Sequence, residues 1–298
     1  MVSKEMGNII EQLKEFQAST KEISVELTRS ALDELASMVS IPEDVKCEPV
    51  DAGGVPAEWI TTPGVVDHHV ILYLHGGGYI AGSIKTHRDL AARISRVSKA
   101  RVLIIDYRLA PEHIFPAALE DATAAYRWLI STEKITPNNL IVAGDSAGGG
   151  LTIACLLKLR EMGATLPAAA VCLSPWTDLA NTGESIENKA KIDPFVTPEG
   201  LEFDAKQYLG EADPRNPLAS PLYANLQGLP PLLIHVGGRE ILLDDSVRLA
   251  ERAKAVGVDV KLDIWEDMIH VWHAFAAFAP ESRDGINQIG EFIQKFFK

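Results

Sequence analysis

Between Leu140 and Arg160 the chain must run as a buried strand, stop, and restart as a helix within very few residues. Leu140, Ile141, Val142 and Ala143 form a short apolar run, as a strand covered on both faces requires. Beyond Gly150, apolar residues recur at Leu151, Ile153, Ala154, Leu156, Leu157 and Leu159, with Lys158 and Arg160 between them. That is the spacing of a helix packed by one broad face. Gly144-Asp145-Ser146-Ala147-Gly148 joins the two. Glycines permit a tight strand-to-helix turn, and the turn pushes the Ser146 hydroxyl out at the carboxyl edge of a sheet. There it stands at a helix N-terminus, where backbone N–H groups favour a developing anion.

A serine between glycines also occurs in ordinary turns, so the pentapeptide depends on its context. With a strand before it and a helix after it, the segment resembles the nucleophile elbow of the α/β-hydrolases. The rest of the chain alternates in the way such a fold needs. Residues 45–51 and 55–62 read as two strands joined at Gly53-Gly54, a hairpin signal. Val70 to Leu74 is nearly all apolar and ends in His75-Gly76-Gly77-Gly78-Tyr79. These glycines could be a flexible loop, or a loop whose bare N–H groups approach a substrate oxygen closely. A helix around 86–98, a strand at 101–106 and a helix from about 118 lead to the Ser146 strand. Ala168 to Leu173 is the next strand, followed by Ser174-Pro175-Trp176-Thr177-Asp178-Leu179. Strand and helix in alternation call for a parallel sheet with helices on both faces.

Two stretches fall outside this rhythm. Residues 1–40 carry two helical patterns, Ile9, Ile10, Leu13 and Phe16, then Leu27, Ala31, Leu32, Leu35 and Met38. Residues 180–228 are broken by Pro194, Pro198, Pro214, Pro217 and Pro221. So long a lapse inside a compact domain suggests an insertion forming a cap, and the N-terminal helices are natural partners for it. The core would then be 41–179 with 229–298. The alternation resumes with Pro231 to Val236, a helix through Val247, Leu249, Ala250 and Ala253, and Val258 to Trp265. That last segment alternates like a half-exposed strand at the sheet edge, an edge open to pairing between two copies of the chain as a homodimer. An amphipathic helix with Ile286, Ile289, Phe292 and Ile293 closes the chain.

The net charge of −13, from 28 Lys and Arg against 41 Asp and Glu, argues against nucleic acid and anionic membrane surfaces as partners. No uncharged apolar run is long enough to span a bilayer. Lys4, Glu5, Glu11, Lys14 and Glu15 leave no signal-peptide apolar block, and Cys47, Cys155 and Cys172 form no disulfide or zinc pattern. A cytoplasmic location is expected.

A serine hydroxyl is a poor nucleophile at neutral pH. It needs a histidine to take its proton and a carboxylate to hold that histidine, in the chain order Ser, acid, His for this fold. Glu240 lies just beyond the Val236 strand end, and His270 lies beyond the following strand. Asp244 and Asp245 are also candidates for the acid. Position favours Glu240, since the two aspartates read as the cap and first turn of the next helix. His270 and His273 sit three apart, but no third ligand has suitable spacing, so neither metal nor cofactor is expected.

Over roughly residues 45–298 the chain resembles the hormone-sensitive-lipase-like esterases. The match is carried by His75-Gly76-Gly77-Gly78, Asp106-Tyr107-Arg108-Leu109-Ala110-Pro111-Glu112, Gly144-Asp145-Ser146-Ala147-Gly148-Gly149 and Ser174-Pro175-Trp176-Thr177-Asp178-Leu179. The resemblance implies a serine carboxylic-ester hydrolase acting on short- to medium-chain esters. It implies a triad of Ser146, Glu240 and His270, oxyanion-hole donors at Gly77, Gly78 and Ala147, and a helical cap. Tyr79 and Trp176 are expected at the substrate pocket. The sequence departs from the family in its acid, with Glu240 where Asp is more usual. Two other readings are a lyase, whose plant representatives typically replace the nucleophile by Thr, and a receptor of the gibberellin type, which lacks the histidine. Ser146 argues against the first and His270 against the second.

Overall fold

The computed structural model describes residues 2–19 and 22–297; Met1, Thr20 and Lys21 of the expected N-terminal helical segment and Lys298 of the expected core lie outside the described residues. Its centre is an eight-stranded sheet in the order β1-β2-β4-β3-β5-β6-β7-β8. The strands are β1 (Lys46–Asp51), β2 (Pro56–Thr61), β3 (Val66–Leu74), β4 (Ala100–Ile105), β5 (Leu140–Asp145), β6 (Ala169–Leu173), β7 (Leu232–Gly237) and β8 (Val260–Trp265). β2 runs antiparallel to both β1 and β4, and every other pairing is parallel. Each parallel step needs a crossover, and the helices supply them.

The period-two alternation of the strands divides the core. Leu72, Leu74, Leu140 and Val142 face one layer, with α4 (Ala117–Ser131), α5 (Ala147–Glu161) and α8 (Leu243–Ala255). Ile71, Tyr73, Ile141 and Ala143 face the other, with α3 (Ile84–Ser98) and α9 (Pro280–Gln294). The central strands are fully buried, which is why their sequences are apolar runs instead of alternations. β8 is an edge strand, as its pattern suggested, with Ile264 exposed and Lys261 paired to Asp263.

The two segments outside the alternation both lie against the loops at the carboxyl edge. α1 (Lys4–Ser19) buries Met6, Ile9 and Ile10 against Met268, Ile269, Trp272 and Phe275, the residues flanking His270. α2 (Val25–Ser37) holds the turn after β3 through Arg29, which donates to the carbonyls of Ile80 and Ala110 and pairs with Glu112. The 180–228 segment contains α6 (Ser185–Asn188) and α7 (Pro198–Leu209), the latter started by Pro198 and capped by Thr197. No helix among the described residues is long and apolar enough to cross a membrane.

Candidate active site

Ser146 sits between β5 and α5 with φ 53° and ψ −122°, a conformation that costs about 1–3 kcal/mol and must be imposed by its surroundings. Its N–H donates to the Leu173 carbonyl at 2.8 Å, and its own carbonyl accepts from Trp176 N–H at 2.9 Å and Gly150 N–H at 3.1 Å. The flanking glycines are needed for approach to β3. A Cβ on Gly144 would come within 2.6 Å of the Leu74 carbonyl oxygen, and one on Gly148 within 2.6 Å of the Leu74 carbonyl carbon. The turn therefore exists because three backbone segments pass closer than any side chain permits.

His270 and Glu240 arrive from the ends of β8 and β7. His270 Nε2 lies 3.0 Å from Ser146 Oγ, and His270 Nδ1 lies 2.5 Å from Glu240 Oε2. Both His270 and Glu240 are buried, while Ser146 is partly open. The structure thus brings together the three residues singled out in the sequence. Burial opposes a positive charge on His270, but the Glu240 charge and hydrogen bond, with smaller help from Asp193 and Asp145, hold its pKa above the ordinary histidine value.

Glu240 is fixed by two further donors, Ser174 Oγ at 2.8 Å and Gly237 N–H at 2.5 Å, both to Oε1. Ser174 Oγ also accepts from Val271 N–H at 3.1 Å, so one hydroxyl ties the acid to the histidine loop. Its loss would strand buried partners at about 1–3 kcal/mol each. Sequence reasoning placed Ser174 in a motif without giving it this role. It also passed over Asp193 in the insertion. Asp193 accepts from Ile241 N–H at 2.9 Å, beside the acid, and from Phe195 and Val196 N–H, while its carbonyl accepts from Gln17 of α1. The Phe195 ring lies stacked 6.0 Å from His270. The only sequence signal was an Asp-Pro-aromatic turn in an irregular stretch, which points to no partner.

The two aspartates after Glu240 stand in the first turn of α8, as expected, but neither caps it; the N-cap position is Leu242, and no side chain caps the helix. Asp245 is fully buried and accepts from Thr177 and Asp178 N–H at 2.7 and 2.9 Å. Asp244 accepts from Ser185 N–H at 2.8 Å, and its own N–H donates to Ser185 Oγ at 3.0 Å. These donors, from the turn after β6 and from the start of the 180–228 segment, are ones that a local capping rule cannot anticipate. His273 is equally remote from Ser146 chemistry: its Nε2 lies 3.1 Å from His235 Nδ1 in a buried pair.

The loop after β3 lies beside Ser146. Gly76 N–H donates to Asp145 Oδ1 at 3.1 Å, and Tyr73 Oη donates to the same oxygen at 2.8 Å, which locks the loop to the residue preceding the serine. Gly77 and Gly78 have φ of 118° and 63°, so the loop depends on glycine there. Among the described residues, the N–H groups of Gly77, Gly78 and Ala147 donate to no protein acceptor. Tyr79 and Trp176, expected at the pocket, are each about 1% exposed and lie 6.2 Å apart. Tyr79 stacks at 3.8 Å on Tyr208 of α7, and Trp176 Nε1 donates to Asn181. Both brace the loops from beneath.

Comparison with known proteins agrees with this architecture. A family described by its alpha/beta hydrolase fold matches residues 71–274. An acetyl-hydrolase from Streptomyces hygroscopicus is 41% identical over 298 residues, covering 99% of this chain and 97% of that protein. An esterase from Acinetobacter venetianus is 34% identical, covering 89% of this chain and 87% of its own length. A crystal structure of an esterase from the bacterial hormone-sensitive lipase family superposes with a TM-score of 0.97 at 48% identity, covering 100% of both chains. The chain belongs to the alpha/beta-hydrolase family and, within it, to the hormone-sensitive-lipase-like esterases.

Proposed function

We propose that the chain hydrolyses carboxylic esters of short to medium acyl length through an acyl-enzyme on Ser146. His270 Nε2 takes the proton from Ser146 Oγ as the oxygen attacks the ester carbonyl. Glu240 holds the imidazole in the tautomer with a proton on Nδ1 and stabilises the imidazolium that forms. The Gly77, Gly78 and Ala147 N–H groups receive the developing oxyanion. His270 then gives its proton to the departing alcohol. Water, activated by the same histidine, releases the acid and restores Ser146. Every proton is handled by these residues, so the reading calls for no cofactor or metal.

The observation that carries the reading is the hydrogen-bonded line Ser146–His270–Glu240 beside three N–H groups that have no protein acceptor among the described residues. The relatives named acetyl-hydrolase and esterase support it. So does the carboxyl-edge position of α1, α2 and the 180–228 segment, which we read as a cap over the site, with Tyr79 and Trp176 backing the pocket. Buried, unpaired Cys155 and Cys172 suit a reducing, cytoplasmic setting. We also retain β8 as a pairing edge between subunits; sedimentation should then give a dimer that Ile264→Lys dissociates, and a monomeric wild type removes this proposal.

The test is hydrolysis of p-nitrophenyl esters of increasing chain length by wild type and Ser146→Ala. Turnover should be greatest for short to medium chains. The variant should remain folded and fall to a residual rate no more than roughly 10³–10⁴ above water. A Ser146→Ala enzyme keeping a tenth of wild-type kcat would remove Ser146 as the nucleophile.

A further inference from the structure

Asp204 differs from the other interior carboxylates of this molecule. Asp145, Asp178, Asp193 and Asp245 each accept backbone or side-chain hydrogen bonds, and Asp178 and Asp245 also meet Arg248. Asp204, half-buried on α7, has no hydrogen bond or ion pair among the described residues. Its carboxyl nonetheless lies against the glycine loop. A Cβ on Gly78 would fall 2.7 Å from Asp204 Cγ and 3.2 Å from its Cβ, so the carboxyl occupies the space a side chain on Gly78 would fill. One turn further along α7, Tyr208 stacks on Tyr79 at 3.8 Å, which holds the helix in register over the loop. A carboxyl left without a protein partner in such a place has hydrogen-bonding capacity to offer.

We propose that Asp204 forms a polar subsite of the ester-binding cleft, a carboxylic acid that donates a hydrogen bond to an oxygen carried by the substrate near its ester carbonyl. This rests on the reading of Gly78 as an oxyanion donor. The chemistry selected is an uncharged acceptor, such as a ketone or ether oxygen on the acyl or the alcohol side. Burial, with no cation nearby, pushes the Asp204 carboxyl up to about 8, so it keeps its proton at neutral pH. Apart from His270, the buried groups packed against the loop keep one charge state in this range. Burial holds the Tyr79, Tyr107 and Tyr208 phenols above their ordinary value and His75 down to about 3, and Asp145 stays ionised because His87 and Tyr73 outweigh its burial. Above pH 8 the donor is lost, and the carboxylate repels an acceptor oxygen.

The test uses ratios of kcat/KM within matched ester pairs, so that the titration of His270 cancels. Ethyl 4-oxopentanoate against ethyl pentanoate probes the acyl side, and 2-methoxyethyl butanoate against butyl butanoate probes the alcohol side. At pH 6.5 the wild type should prefer the oxygen-bearing ester in one pair by about three- to tenfold, the worth of one net hydrogen bond, and the preference should vanish by pH 9. Asp204→Asn should keep a preference that no longer varies with pH, because an amide N–H donates without titrating. Asp204→Leu should show none at any pH. No preference in either wild-type pair, or a preference with the same pH dependence in Asp204→Asn, overturns the subsite even if the leucine variant fails to fold. Ser146→Ala on ethyl pentanoate separates the two claims. If that variant keeps a tenth of wild-type kcat, the mechanism falls; if it drops to the residual rate while the wild-type ratios ignore Asp204, only the subsite falls.

Discussion

The resemblance led to an aspartate at the position where this chain has Glu240, and the geometry explains how the longer acid fits. Its Oε1 is held by Ser174 and Gly237 N–H, which leaves Oε2 directed at His270 Nδ1. Glu240→Gln keeps the shape and removes the charge, and kcat should fall by up to about 10⁴. Asp244→Asn should stay within threefold of wild type, because Asp244 serves the Ser185 N–H and not the histidine. A folded, inactive Asp244→Asn beside an active Glu240→Gln would transfer the acid role. The pH profile belongs to the same pair. His270 must be neutral to accept a proton, and Glu240 holds its pKa above the ordinary value, so kcat/KM should rise with pH through an apparent pKa above about 6.5. In Glu240→Gln the residual activity should rise at lower pH, since burial then depresses the histidine against only the smaller help of Asp193 and Asp145. Ser146 and His270 could be read from sequence because their signals are local: a strand, a turn, a helix start. Ser174, Asp193 and Asp204 could not, since their partners lie in other segments of the chain. Asp244 and Asp245 do stand in the first turn of α8, but the N–H groups they serve, at Ser185 and at Thr177 and Asp178, belong to segments that a local helix-start rule does not reach.

At the scale of elements, the core alternation was legible because each central strand is buried on both faces and α3, α8 and α9 show an apolar stripe; α5, expected to pack by one broad face, is instead buried on nearly every side, since it crosses the centre of the sheet. Strand order was not, because no residue pattern states that β4 lies between β2 and β3. The two surplus segments could be recognised as surplus, but not how they join. That junction lies in Gln17 reaching the Asp193 carbonyl and in Met6, Ile9 and Ile10 packing on Ile269 and Trp272. α1 therefore supports the histidine loop as well as covering it. Removing residues 2–19 should lower kcat/KM by at least about tenfold, since displacements near 1 Å in a catalytic loop can cost 10²-fold, while the sheet signal in circular dichroism persists. A soluble truncated protein with wild-type kcat/KM and unchanged chain-length preference would deny α1 this role.

Across the whole molecule, the interior carries several groups held in their neutral forms, and these set the direction of pH effects on stability. Burial pushes Asp204 up to about 8 and Asp245 up to about 7, well above an unfolded carboxyl near 3.9. A raised folded pKa contributes stability that is complete below the unfolded value and is lost as pH rises through the folded one. His270, also raised, is lost in the same direction above about 6.5. Buried His75, His235 and His273 have lowered values, so their contribution is full above about 6.5 and declines as pH falls. Between about pH 6.5 and 8 these raised groups lose their contribution while the lowered histidines keep theirs, so the melting temperature should fall over that interval, and less so in Asp204→Asn. A melting temperature that holds or rises from pH 6.5 to 8.5 would contradict this distribution of charge.

The most direct test of the central claim is the intact mass of the protein after exposure to a fluorophosphonate, followed by peptide mapping. Wild type should gain one adduct per chain, on Ser146. His270→Ala should react far more slowly because the hydroxyl loses its base, and Ser146→Ala should gain none. An adduct forming on Ser146→Ala at the wild-type rate, or a wild type that is never modified, would contradict an activated serine at this turn.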